Sequence, residues 1–120
     1  MESTPRKLTT HQKTVLIQVL LSFPEQRVGI WYSSLADDSF SYAQDFLMIF
    51  KAIGWRVDDA QPAKMRASPS GVAIVLRGEE AVPPSAEAFR DALRIYGIEA
   101  EIFHERDRDI ESGSFILAIS

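Results

Sequence analysis

Two segments of the chain repeat one pattern, in which an amphipathic helix ends at a glycine and a strand follows. Apolar side chains at helical spacing run from Phe40 to Ile53, and Gly54 then occupies the position of a left-handed cap. A strand from Trp55 to Asp58 comes next. The second copy has a helix that ends at Gly97 and a strand over 98–102, in which apolar residues alternate with glutamates.

Each copy follows an earlier apolar strand, from Arg27 to Tyr32 in the first case and from Val72 to Leu76 in the second. A strand, a helix and a second strand in succession favour a right-handed parallel crossover. The sequence therefore predicts an α/β layered sandwich with a four- or five-stranded sheet, mostly parallel or mixed. We expect helices on both faces of this sheet and Trp31 in the core, with Ser85 as the cap of the third helix.

Two further elements complete the prediction. A first helix runs from about Thr10 to Ser22, and Thr9 begins it with capping-box spacing to Gln12. A last apolar strand runs from Ser114 to Ile119, and its place at an edge or inside the sheet stays open. The predicted order is α-β-α-β-β-α-β-β.

Composition limits the class of protein. The 120 residues fit one domain, which we place at 9–120 after a disordered segment at 1–8. The net charge of −4 and the lack of a basic stripe argue against nucleic acid as a partner. Without cysteine there is no disulfide or zinc–thiolate site. No apolar run is long enough to span a membrane, so we expect a cytoplasmic domain, with an anchor on a longer product left open.

The loop after the first predicted strand is the candidate ligand site. It contains Ser33, Ser34, Asp37, Asp38 and Ser39, at the carboxyl end of the strand, where open α/β sheets usually bind ligands. The loop has no glycine, so it is not a phosphate-binding loop, and its two aspartates would repel phosphate. The simpler interpretation, which we favour, is that one of these side chains caps the next helix.

The first helix is the candidate interaction surface, because it is apolar on more than one side. Val15, Val19 and Leu20 are the residues expected to contact a partner, either a second copy in a homodimer or another protein.

No residue pattern indicates catalysis, a metal or a cofactor. His11 and His104 are far apart in sequence, belong to no recognisable triad or metal spacing, and are expected at the surface. The pattern favours a non-enzymatic binding or interaction module over an enzyme. The alternative is a small-ligand or nucleotide sensor that uses the loop after the first strand.

Several segments resemble a family of uncharacterised bacterial proteins, which often place such a domain behind a membrane helix. The resemblance rests on a helix ending in Phe23-Pro24, a strand at 28–30, the Asp37-Asp38-Ser39 loop, the helix end at Gly54-Trp55, and Gly71-Val72-Ala73-Ile74. It implies a bacterial source and an α/β fold. It implies no catalytic residue.

Overall fold

The computed structural model describes residues 7–34, 38–63, 71–78, 81–105 and 114–120. It contains three helices and six strands. In chain order these are α1 (Thr10–Leu20), β1 (Arg27–Tyr32), α2 (Ser39–Ala52), β2 (Arg56–Val57), β3 (Gln61–Pro62), β4 (Val72–Arg77), α3 (Pro84–Ile95), β5 (Glu101–Glu105) and β6 (Phe115–Ile119).

The six strands form one mixed sheet in the order β2-β1-β6-β4-β5, with β3 also paired to β1. Both predicted crossovers are confirmed, since β1 and β2 are parallel and so are β4 and β5. The last strand lies inside the sheet. It is parallel to β1 on one side and antiparallel to β4 on the other. The α/β class is therefore confirmed, and the position left open by the sequence is the middle of the sheet.

The outer edge beside β1 is built from two short strands where one was expected. The predicted strand at 55–58 is reduced to Arg56 and Val57, which pair with the start of β1. The chain then leaves the edge and returns as β3, which pairs with Trp31 and Tyr32 at the other end of β1. The extra strand lies in a segment predicted to be a plain connection.

All three helices lie on one face of the sheet, which corrects the expectation of helices on both faces. Buried residues of α1, α2 and α3 share one core cluster with inward-facing strand residues such as Val28, Ile74 and Leu117. The reason is geometric. Strands β1 and β4 run in opposite directions, and their crossovers move outward in opposite directions, so two right-handed crossovers place both helices on the same side.

The opposite face of the sheet has its own small cluster of strand residues, Ala73, Val75, Ile116 and Ala118. No described helix packs against them, although each is buried. Trp31 packs at the margin of this cluster and is only partly buried, so it does not lie between two helical layers as expected.

The helices of the two crossover units share part of their burial pattern. Several buried residues of α2 have buried counterparts 43 positions later in α3, including Ala43 with Ala86 and Phe46 with Phe89. The glycines that end the helices keep the same spacing: Gly54 has φ +82° and Gly97 has φ +78°. Only glycine adopts this left-handed conformation without steric cost, so both helices end at the predicted positions for the same reason.

Four fully buried phenylalanines join the two units. Phe89 of α3 lies 5.9 Å from Phe46 and 5.6 Å from Phe50 of α2, measured between ring centroids. Phe115 of β6 lies 6.3 Å from both Phe50 and Phe89. We call these residues the phenylalanine cluster. It connects α2, α3 and β6 beneath the helical layer.

Helix α1 lies between the other two helices. Lys13 forms an ion pair with Asp45 of α2 at 3.5 Å, and the His11 ring meets Tyr96 at the end of α3, 6.1 Å between centroids. Leu16 is fully buried. Contact on three sides explains why this helix is apolar on more than one side.

The start of α1 confirms one expectation and corrects another. The Thr9 hydroxyl accepts a hydrogen bond from the Gln12 backbone, and the Gln12 side chain accepts one from the Thr9 backbone, so the capping box is present. Leu8, which was assigned to a disordered segment, is 2% exposed, and its backbone N–H donates to Asp45 at 3.0 Å. It belongs to the core.

Helix α3 begins at Pro84, so Ser85 is not its cap. Ser85 lies in the first turn, is fully buried, and has its hydroxyl 2.8 Å from the side-chain oxygen of Gln26. Gln26 also accepts a backbone hydrogen bond from Arg56. This contact ties the start of α3 to the start of β1.

Truncation of Phe89, whose ring joins the two crossover units, tests the role of the phenylalanine cluster. We expect Phe89→Ala to lower the free energy of unfolding by about 3–5 kcal/mol, because it leaves a cavity among three other rings. The matched change Phe40→Ala, at a 44% exposed ring in contact with Tyr32, should cost about 1 kcal/mol. Urea denaturation followed by circular dichroism measures both. Equal losses would contradict the joining role of Phe89.

Candidate functional site

The serine–aspartate loop begins at the carboxyl end of β1, as predicted, but its described residues are not all accessible. The Ser33 backbone N–H continues the sheet by donating to Ile119 at 2.8 Å. Ser34 is exposed, whereas Ser39 is fully buried in the first turn of α2 and is out of reach of a ligand. Asp37 lies outside the described residues. Ligand binding by Ser33, Ser34 and Asp38 stays a prediction.

Asp38 occupies the N-cap position of α2, as the simpler interpretation of the loop expects, but without the usual side-chain hydrogen bond. Its backbone oxygen accepts from Tyr42 at 2.9 Å. The aspartate therefore places negative charge at the positive end of the helix dipole without closing the first turn.

The residues predicted for an interaction surface divide into two groups. Leu20 is fully buried in the core, so it cannot contact a partner, which corrects that prediction. Its burial follows from the position of α1 between two helices. Val15 and Val19 are partly buried, and Val19 packs against the core. The adjacent Leu21 is the exposed apolar residue of this helix end, at 60%.

A cleft that sequence analysis missed lies at the amino end of β1. It has a volume of about 460 Å³, and three cations from three different elements line it: Arg27 of β1, Lys51 of α2 and Arg56 of β2. We call it the basic cleft. The other lining residues are Gly54, Trp55, Val57 and Asp58.

The parallel pairing of β1 and β2 produces this concentration of charge. Arg27 and Arg56 are register partners, so their side chains leave neighbouring strands at the same level. Lys51 lies in the last turn of α2, just before the glycine turn that leads into β2. The Trp55 ring stacks on Phe50 at 5.7 Å and is 5% exposed, so it anchors the turn in the core.

Two carboxylates partly neutralise the basic cleft. Arg27 forms an ion pair with Asp58 at 3.0 Å, and the Nε of Arg56 lies 3.5 Å from Glu25. All four side chains are more than half exposed, so solvent screens both pairs. Within the described ranges, no carboxylate lies within 4.0 Å of Lys51.

The position of the cleft in the sheet explains why the sequence did not predict it. The rule that ligands bind at the carboxyl ends of strands selects one edge only when the strands run the same way. Here the edge with the amino ends of β1 and β2 also holds the carboxyl ends of β4 and β5, because β4 runs opposite to β1. The pairing of Arg27 with Arg56 depends on a register that composition and periodicity do not specify.

The described ranges contain neither a cluster of metal-ligating side chains nor a helix able to cross a membrane. No group of three or more histidine or acidic side chains there is arranged to hold a metal ion. His11 and His104 are exposed, as predicted, and Nδ1 of His104 lies 2.7 Å from the Gly78 carbonyl oxygen. No helix in the same ranges has the length and hydropathy needed to cross a membrane.

The ion pairs of the cleft contribute little to folding, and this can be tested. We expect Asp58→Ala to lower the free energy of unfolding by less than about 1 kcal/mol, because the pair is screened. Asp45→Ala is the comparison, since Asp45 is 15% exposed and accepts the Leu8 backbone N–H. Its loss should cost about 1–3 kcal/mol. If urea denaturation shows that Asp58→Ala lowers the free energy of unfolding more than Asp45→Ala does, the cleft charges have a structural role.

Comparison with known proteins found no matching family model, no matching curated protein and no matching solved structure. Function must therefore be argued from the residues of this chain. Two surfaces are candidates for binding. One is the outer side of α1 together with the exposed apolar residues Leu21, Met48 and Ile95, and the other is the basic cleft.

Proposed function

We propose that this chain is a non-enzymatic interaction module that pairs with a second copy of itself through the outer side of α1. One observation carries the proposal. The described residues include four large apolar side chains that are exposed: Leu21, Phe40, Met48 and Ile95. Three of them lie in the helical layer, where Leu21 is the C-cap residue of α1, Met48 belongs to α2 and Ile95 ends α3.

The helix directions place these side chains. Because β1 and β4 are antiparallel, α2 and α3 are antiparallel too. The start of α1 meets the end of α3, so α1 runs antiparallel to α3 and parallel to α2. Beyond the contact of Lys13 with Asp45, Met48 follows one turn along α2 and Leu21 follows two turns along α1. Ile95 precedes Tyr96, at the opposite end of α1.

The charge of this surface supports a second copy as the partner. Lys13 is the only charged residue of α1, and it is paired with Asp45, whereas a quarter of the chain is charged. A low density of charge on the central helix of an apolar surface is typical of interface cores. Two copies of a chain with net charge −4 repel each other, and α1, whose one charge is paired, adds little to that repulsion.

A standard interface buries about 800 Å² per partner. That is on the order of a tenth of the 7106 Å² accessible surface. An isologous pair through α1 and its flanks would use the same residues on both copies. A bacterial source and membership of the family that the sequence resembles are part of this proposal and rest on the segments already described.

Sedimentation equilibrium over a concentration series tests the proposal. We expect a monomer–dimer equilibrium that Leu21→Glu and Met48→Glu each shift toward monomer. Each charge enters twice in a symmetric pair, and both side chains are 60% exposed, so folding should be retained. Gln61→Glu adds the same charge at an exposed residue of β3 and should leave the equilibrium unchanged.

Two results would overturn the proposal. One is a wild-type chain that stays monomeric at the highest concentration reached. The other is a dimer whose dissociation constant is the same in Leu21→Glu, Met48→Glu and the wild type, which would place the interface elsewhere. Circular dichroism of each variant separates loss of pairing from loss of fold.

A further inference from the structure

We propose that the basic cleft binds a single phosphate group carried by a small ligand. The presence of Arg27, Lys51 and Arg56 in the lining of one cleft is the basis of this inference. In a chain with net charge −4, three cationic residues from three separate elements line this one depression.

Donors remain available in the cleft after its internal ion pairs are formed. Lys51 has no carboxylate within 4.0 Å in the described part of the chain. Arg56 pairs with Glu25 through Nε at 3.5 Å, and its side chain is 76% exposed. An arginine fork that presents two N–H groups matches two phosphate oxygens, and a lysine adds a compact charge beside it.

The existing carboxylates do not close the cleft to an anion. The pairs Arg27–Asp58 and Arg56–Glu25 involve side chains that are 55–76% exposed, so each holds its arginine weakly. A phosphate dianion carries more charge than either carboxylate and can bridge two cations.

The surroundings of the cleft favour a small ligand over a nucleic acid strand. The cleft is a shallow depression open to solvent, with a volume of about 460 Å³, and a compact anionic group fits within it. Glu25, Asp58 and Asp59 lie in the segments next to the three cations and would repel neighbouring phosphates of a polymer. The bare backbone of Gly54 and the side chain of Val57 provide a wall for the uncharged part of the ligand.

The test is an NMR titration of the ¹⁵N-labelled full chain with inorganic phosphate, compared with sodium chloride at equal ionic strength. We expect saturable shifts of the amide signals of residues 54–57 with phosphate and none with chloride. Glycerol phosphate should produce the same shifts, because the recognised group is the same. Succinate, a dicarboxylate, should bind more weakly than either.

Variants connect the signal to the cleft. Lys51→Gln and Arg56→Gln should each raise the dissociation constant of phosphate about fivefold, the effect of losing one screened charge contact. Arg94→Gln is the control, since Arg94 is a similarly exposed and paired cation on α3. It should leave the dissociation constant unchanged.

Three results would overturn the phosphate site. Shifts that chloride reproduces would show a general salt effect. Saturable shifts that Lys51→Gln and Arg56→Gln leave unaltered would place the anion elsewhere. Tighter binding of succinate than of phosphate would assign the cleft to carboxylates. The oligomeric state does not enter any of these readouts, so this proposal and the dimer proposal fail independently.

Discussion

The insertion of β6 between β1 and β4 is the contact on which the rest of the structure depends. On one side β6 pairs parallel to β1 and on the other antiparallel to β4, so it joins two crossover units that run in opposite directions. Phe115 at its start reaches the rings of α2 and α3. The antiparallel relation of the units then places their helices on one face and leaves between them the groove that α1 fills.

Local patterns in the sequence were sufficient for the three helices, for every strand except β3, and for the parallel pairing of each crossover. Helical spacing, the two glycine caps and the capping box at Thr9 all act within a few residues, and each was predicted. The place of β6 was not predictable, because all five of its residues are apolar and buried, and such a strand shows no preferred side or direction. The single helical layer follows from that direction, so it was missed for the same reason.

The candidate functional surfaces also depend on contacts between residues that are far apart in sequence. The apolar character of α1 was visible in sequence, but whether Leu20 or Leu21 faces solvent depends on where two other helices pack. The basic cleft combines residues from three elements, and Arg27 is brought beside Arg56 by strand register. No run of basic residues marks the cleft in the sequence, because only neutral or acidic residues separate Arg27, Lys51 and Arg56.

The position of β6 also matters for the order of events during translation. Both crossover units leave the ribosome before the strand that joins them, so β1 and β4 each present an unpaired edge during that interval. Open edges of apolar strands are sites where nascent chains associate wrongly or recruit chaperones. In this chain the edges of β1 and β4 stay unpaired until residues 115–119 emerge, and both edges then pair with the same strand.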